Sequence, residues 1–272
     1  MTLEACGLGH SYGERPVVRQ LDLSLKSGEC VALIGPNGAG KTTVLRALAG
    51  LLEPASGVVK LNGTPLSSIR REEIARSVSV VPQARPAAFA FTALEYVLMG
   101  FHARVARFQL EGDAERASAH AALEVMGVAE FASRPMTQLS GGEAQRVVMA
   151  RTIASGAAIW LLDEPTSNLD IGHQIALLEA VRRHCDDGGT ALAIVHDPNL
   201  ANRWFDRVVV LADGVLVAEG EPDQCLTEDV FRTAFGVGMR FVGDEKAGAW
   251  VPMLDPEPPR SVEPSGSAEE EP

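Results

Sequence analysis

The clearest signal along the chain is a series of short apolar runs set between longer amphipathic stretches. Cys30-Val31-Ala32-Leu33-Ile34 is continuously apolar, the pattern of a parallel strand buried on both faces. Val78–Val81 and the runs at 159–162, 191–195 and 208–211 read the same way. Leu21-Asp22-Leu23-Ser24-Leu25 instead alternates with period two and predicts a half-buried strand. Between Val81 and Ala157 the pattern changes to about 75 residues of Ala- and Glu-rich helical sequence, including 112–126. Such a block predicts a helical subdomain inserted into a mixed α/β core. Beyond Val208, two short strands flank Asp213-Gly214, a hairpin signal, and a helix is predicted over Glu228–Phe235. The chain has no internal repeats.

At 272 residues, 46% hydrophobic and 22% charged, the chain can bury a sizeable core without staples. Its net charge of -12 argues against a nucleic-acid partner gripped over a broad surface. Five of those negative charges fall in the last eighteen residues, 255–272, which hold five prolines and six acids. That zone reads as a disordered, solubilising tail. The four cysteines (Cys6, Cys30, Cys185, Cys225) form no C-x-x-C pair, so reduced thiols are expected. The N-terminus lacks a signal-peptide pattern, and no apolar run approaches the ~20 residues of a membrane-spanning helix.

Gly35-Pro36-Asn37-Gly38-Ala39-Gly40-Lys41-Thr42 fits the phosphate-loop pattern G-x-x-x-x-G-K-[ST]. It follows a buried strand and precedes a helical run at 43–49, as such a loop must. Glycines let the backbone curl so that successive N–H groups point at phosphate oxygens, and the helix N-terminus adds positive charge. Lys41 can reach the β- and γ-phosphates, and the Thr42 hydroxyl can bind Mg²⁺. This leaves kinases, GTPases and many ATPases open.

The strand at 159–162 narrows the choice, because it ends in Asp163-Glu164. A carboxylate at that strand end is placed to hold Mg²⁺, which is the role expected of Asp163. Glu164, one step on, is placed to polarise a water for attack on the γ-phosphate. A base beside the metal points to hydrolysis.

Leu139-Ser140-Gly141-Gly142-Glu143-Ala144-Gln145-Arg146 closes the helical insert and opens a helix over 143–154. Ser140 reads as an N-cap, and the two glycines bare backbone N–H groups at a positive helix end. This is a second anion site without a lysine of its own. One nucleotide has no need of two such sites in one chain unless a second chain shares it. With these residues in view, the chain resembles the nucleotide-binding subunit of ATP-binding cassette (ABC) transporters, over essentially residues 2–245.

The resemblance implies a phosphate-loop NTPase (RecA-like) core with an antiparallel β subdomain. A helical subdomain would be inserted at about 84–156, all within one ATPase domain over 1–254. It also implies roles that the residues alone leave open. Tyr12 matches the aromatic that stacks on adenine, and Gly35 through Thr43 match the cradle for ATP. Gln83 matches the glutamine that touches the Mg²⁺ and attacking water and senses the membrane subunit. Ser140, Gly141 and Gly142 fall in the signature loop, and Asp170 in the loop that crosses a dimer interface. Asp163 is then the metal aspartate beside Thr42, and Glu164 the catalytic glutamate. His196, past the run at 191–195, matches the switch histidine at the γ-phosphate. Glu143 departs from the family's commonest Gln, but an acid in a first helical turn is favourable and leaves the Ser140 and Gly142 donors in place.

In this family two chains meet head to tail, with ATP between the phosphate loop of one and the signature loop of the other. Closure then drives permease subunits in the membrane. The permease is expected on separate polypeptides, with a substrate-binding protein at the far side and this chain peripheral on the cytoplasmic face. The pattern at Thr92, Glu95, Val97, Met99 and Gly100, with Gly-Gly-Glu at 141–143, is similar to importers for ferric siderophores, haem and cobalamin. Phe89 and Phe91 suit either a partner's coupling helix or the insert's own core. Non-transport ABC ATPases normally carry two cassettes or a long coiled-coil insert. A phosphate-loop kinase would lack the element at 139–143.

Overall fold

A computed structural model describes residues 1–83, 91–104, 112–244 and 248–253. The chain opens with β1 (Leu3–Tyr12) and β2 (Arg15–Leu25), then β3 (Cys30–Ile34) and the helix α1 (Lys41–Leu48). Next come β4 (Ser56–Leu61), β5 (Thr64–Pro65), α2 (Arg71–Ser77) and β6 (Val78–Val81). Three helices follow, α3 (Ala93–Leu98), α4 (Asp113–Val125) and α5 (Gly141–Ser155), before β7 (Ile159–Asp163). Alternation then resumes with α6 (Ile171–Asp186), β8 (Thr190–Ile194), α7 (Pro198–Trp204), β9 (Arg207–Ala212) and β10 (Val215–Gly220). The last described elements are α8 (Pro222–Cys225), α9 (Glu228–Phe235), β11 (Met239–Val242) and β12 (Ala249–Pro252).

The continuously apolar runs supply five strands of a six-stranded sheet, in the order β10-β9-β3-β8-β7-β6. Those five strands run parallel, and β10 forms one edge antiparallel to β9 through the Asp213-Gly214 turn. Their apolar continuity has a simple cause: each face packs on its own core. In β3, Cys30, Ala32 and Ile34 join one cluster with α5 and α6, while Val31 and Leu33 join another with α1 and the second sheet. That second sheet is antiparallel, in the order β2-β1-β4-β5. The period-two segment lies in β2, where Leu21, Leu23 and Leu25 are buried and Asp22 is exposed.

Between β6 and β7 the described residues are helical, as the composition predicts. Thr92 caps α3 with a reciprocal bond to Glu95, and Gly112 N–H donates to Glu115 at the start of α4. The helix expected over Glu228–Phe235 has those bounds, capped by Thr227 and ended by left-handed Gly236. The expected tail at 255–272 and Phe89 lie outside the described residues. Among the described residues no helix is long and apolar enough to cross a membrane.

Sheet order also decides which loops come together. Strands β3, β8, β7 and β6 are consecutive neighbours running the same way, so their C-terminal ends share one edge. The phosphate loop, His196, Asp163 with Glu164, and Gln83 each follow one of those ends. Parallel α/β sheets gather their ligands at this edge.

Candidate active site

The phosphate loop leaves β3 through Gly35, Gly38 and Gly40, at φ of 152°, 84° and 98°. Side chains are excluded at two of these. A Cβ on Gly35 would run into the Leu211 carbonyl oxygen, and one on Gly40 would sit 2.6 Å from that of Val17. Backbone sign and close approach thus both demand glycine there. Helix α1 begins with no side-chain cap, which leaves its first N–H groups to an incoming anion. Lys41 is only 6% exposed and spans the loop, its Nζ donating to the carbonyls of Gly35 (2.7 Å) and Pro36 (2.9 Å). Burial pulls its pKa down, while Glu164 and Asp163 push it back up. Ala39 and Thr43 are buried beneath the loop, and Asn37 is exposed at its tip.

Asp163 closes β7 at 3% exposure and accepts a hydrogen bond from the Thr42 hydroxyl at 3.2 Å. Burial holds its carboxyl above the usual range, against the hydroxyl's opposing pull, and neighbouring Glu164 adds to the rise. A hydroxyl and a buried carboxylate this close are the hard oxygen donors that Mg²⁺ takes. The residues therefore fit the ion.

Glu164 adopts a left-handed backbone at φ 52°, a conformation that costs a non-glycine residue about 1–3 kcal/mol. Ser167 holds it there, with its N–H (3.1 Å) and hydroxyl (2.8 Å) both donating to the Glu164 carbonyl. The turn aims the carboxylate at the neighbouring strand. Asp163 is paired with Ile194 of β8, and just beyond them Glu164 Oε1 lies 2.7 Å from His196 Nε2. Both line a cavity of about 220 Å³ with Asn168, Asp197 and Leu200. The catalytic pair expected from sequence is thus in direct contact.

The second anion site expected from sequence falls at the start of α5. The Ser140 hydroxyl accepts from Glu143 N–H at 3.3 Å, and the Glu143 carboxylate accepts from Ser140 N–H at 2.7 Å. This reciprocal capping box holds the Glu143 carboxyl below its usual range. The departure at Glu143 is therefore a brace for the signature loop. A Cβ on Gly142 would lie 3.2 Å from the Asn168 carbonyl oxygen, so the signature loop sits against the segment 165–170. Two amides that sequence reasoning passed over hold that segment. Gln145 donates to the Pro165 carbonyl at 3.3 Å, and Gln174 to that of Leu169 at 3.1 Å. Asp170 caps α6 by accepting from His173 N–H at 2.9 Å, which holds its carboxyl low.

Two expected residues stand at the margins. Tyr12, at the end of β1, is half exposed, with its ring edge-on to His10 at 4.9 Å. Gln83 is exposed just past β6.

Known proteins resemble this chain in sequence and in fold. A family model described as ABC transporter matches residues 18–167. The hemin import ATP-binding protein HmuV of Myxococcus xanthus is 41% identical over 94% of this chain and 97% of its own length. The cobalamin import ATP-binding protein BtuD of Halobacterium salinarum is 40% identical over 92% of this chain, which spans 62% of that longer relative. The iron(3+)-hydroxamate import ATP-binding protein FhuC of Bacillus subtilis is 35% identical, over 88% of this chain and 89% of its own. Among solved structures, a transporter described as of metal-chelate ABC type, facing inward, superposes with a TM-score of 0.79 at 28% identity. That match covers 93% of this chain and 98% of the other. A dimeric bacterial ABC transporter cassette gives 0.74 at 28% identity, covering 81% and 98%. With a family model over more than half of its length and relatives at about 40% identity along nearly all of it, the chain belongs to the ABC transporter family as an ATP-binding subunit.

Proposed function

We propose that this chain hydrolyses ATP to power an importer for a metal chelate: a ferric siderophore, haem or cobalamin. It works as a head-to-tail pair on the cytoplasmic face of the cell membrane, bound to separate permease subunits that receive cargo from a substrate-binding protein. The observation that carries the ATPase reading is the shared sheet edge, where Lys41, Asp163, Glu164 and His196 meet. The import class is supported by the relatives named for hemin, cobalamin and iron-hydroxamate import.

In this reading Tyr12 stacks on adenine while Gly35 to Thr43 wrap the phosphates. Lys41 trades its two carbonyl partners for β- and γ-phosphate oxygens. Thr42 and Asp163, with Gln83 from the end of β6, would hold Mg²⁺, which supplies charge neutralisation at the phosphates when bound. Glu164 orients and polarises the attacking water, and His196 contacts the γ-phosphate. The partner copy supplies Ser140 and Gly142 as donors to the same phosphate, with the 165–170 segment, including Asp170, at the interface. Closure costs little rearrangement in the signature loop, because Glu143 already fixes the Ser140 backbone.

The permease surface is assigned to the groove beside β6. It encloses about 410 Å³ among Leu51, Ile74, Val80, Met99 and Arg151, and Leu51 is 68% exposed. Phe91, at the head of α3, is 40% exposed.

Uptake tests the cargo class. Cells lacking this chain should lose high-affinity uptake of one labelled cargo among haem, a ferric hydroxamate and cobalamin. The wild-type chain should restore it and Glu164→Gln should not. Undiminished uptake of all three in the deletion strain would overturn the class.

A further inference from the structure

The hairpin of β11 and β12 carries none of the residues assigned above to nucleotide or metal. Among the described residues strands β11 and β12 pair only with each other, Met239 opposite Pro252 and Val242 opposite Ala249. One ring seats it on the core: Trp250 lies 4.9 Å from Phe231 of α9, itself buried, while within the hairpin it meets Phe241 at 5.4 Å. A second attachment is polar and reaches α7. The Asn199 side chain accepts from Trp250 N–H at 2.6 Å and donates to the Trp250 carbonyl at 3.2 Å. One amide thus satisfies both backbone groups of a hairpin residue, as a neighbouring strand would.

Asn199 stands three residues beyond His196, and the path between them has little slack. The Asp197 carboxylate accepts from Asn199 N–H at 2.8 Å, and its carbonyl accepts from Ala201 N–H at 3.1 Å. Pro198, the first residue of α7, has its φ fixed by its ring. His196 then meets Glu164 at 2.7 Å. Trp250, Asn199, Asp197, His196 and Glu164 form one continuous line from the hairpin to the reacting centre.

We propose that the hairpin braces the loop that carries His196, with Asn199 as a positioning residue that grips Trp250 and so fixes where His196 meets the γ-phosphate. The inference rests on the proposed contact of His196 with that phosphate. Because coupling is reciprocal, a γ-phosphate that engages His196 must also act on the hairpin.

The test uses the full chain. Asn199→Ala should lower kcat for ATP about tenfold to a hundredfold, the scale of a small misplacement at a reacting centre. KM should stay within about twofold, since the phosphate loop is untouched. Asn199→Asp keeps the acceptor for Trp250 N–H but loses the donor to its carbonyl, and should recover part of the loss. A wild-type kcat in Asn199→Ala overturns the brace. So do kcat and KM that worsen together with no recovery in Asn199→Asp, the mark of a general loss of fold. A second measurement leaves the anchor intact: with Trp160 and Trp204 replaced by Phe, Trp250 emission should change on adding ATP and not ADP. An unchanged emission with ATP also overturns the proposal. His196→Ala separates the two readings. Normal turnover there removes the role of His196, whereas slow turnover there beside normal Asn199→Ala removes only the brace.

Discussion

Glu164→Gln is expected to bind ATP about as tightly as the wild type and to turn it over about 10²–10⁴-fold more slowly, the usual worth of a general base. The substitution keeps the side-chain length and can keep a hydrogen bond to His196, so the contact now at 2.7 Å need not break. The left-handed turn is held by Ser167 through the main-chain carbonyl and is likewise untouched. What disappears is the carboxylate charge facing the water. Loss should therefore fall on kcat and not on affinity. Steady-state ATPase assays beside calorimetry check both halves, and turnover within threefold of wild type contradicts the role.

Lys41→Ala should fail one step earlier. The ammonium is buried and already aimed into the loop by two carbonyls, so its loss removes the only cation spanning that loop among the described residues. Hydrogen bonds to charged groups contribute about 1.5–3 kcal/mol each, and the lysine serves two phosphates. Affinity for ATP should drop about 10²–10⁴-fold. Circular dichroism should confirm that the variant folds, and equal calorimetric affinity for wild type and variant would refute the assignment.

Chemistry dictated the parts that were readable in advance. A phosphate cradle needs Gly35 and Gly40, because carbonyl oxygens of β9 and β2 approach too closely for a Cβ. A parallel strand covered on both faces must be apolar throughout, which exposed β3, β6, β7, β8 and β9 to direct reading. Strands β1 and β4 escaped notice for the opposite reason. They approach each other at Gly7 and Gly57, both with positive φ, so the alternation that marks a strand is interrupted. The hairpin β11–β12 is short, half-buried and held by aromatic rings and one amide, none of which has a sequence period. Contacts between remote side chains, such as Glu164 with His196 or Gln145 with Pro165, depend on sheet order and cannot be read along the chain. The Ser140–Glu143 and Thr92–Glu95 boxes are local by contrast, and S/T-x-x-E is their signature along the chain.

The proposed mechanism requires each ATP to be held by two copies, the phosphate loop of one and the capped Ser140 loop of the other. Molar mass in solution is the decisive quantity, measured by light scattering on Glu164→Gln with and without Mg-ATP. A shared site predicts a monomer that becomes a dimer holding two ATP. Adding Ser140→Arg, which drives a long side chain into the partner's phosphate site, should leave a monomer that still binds one ATP. A Glu164→Gln chain that stays monomeric at saturating ATP, or a Ser140→Arg chain that dimerises just as well, would contradict the shared site.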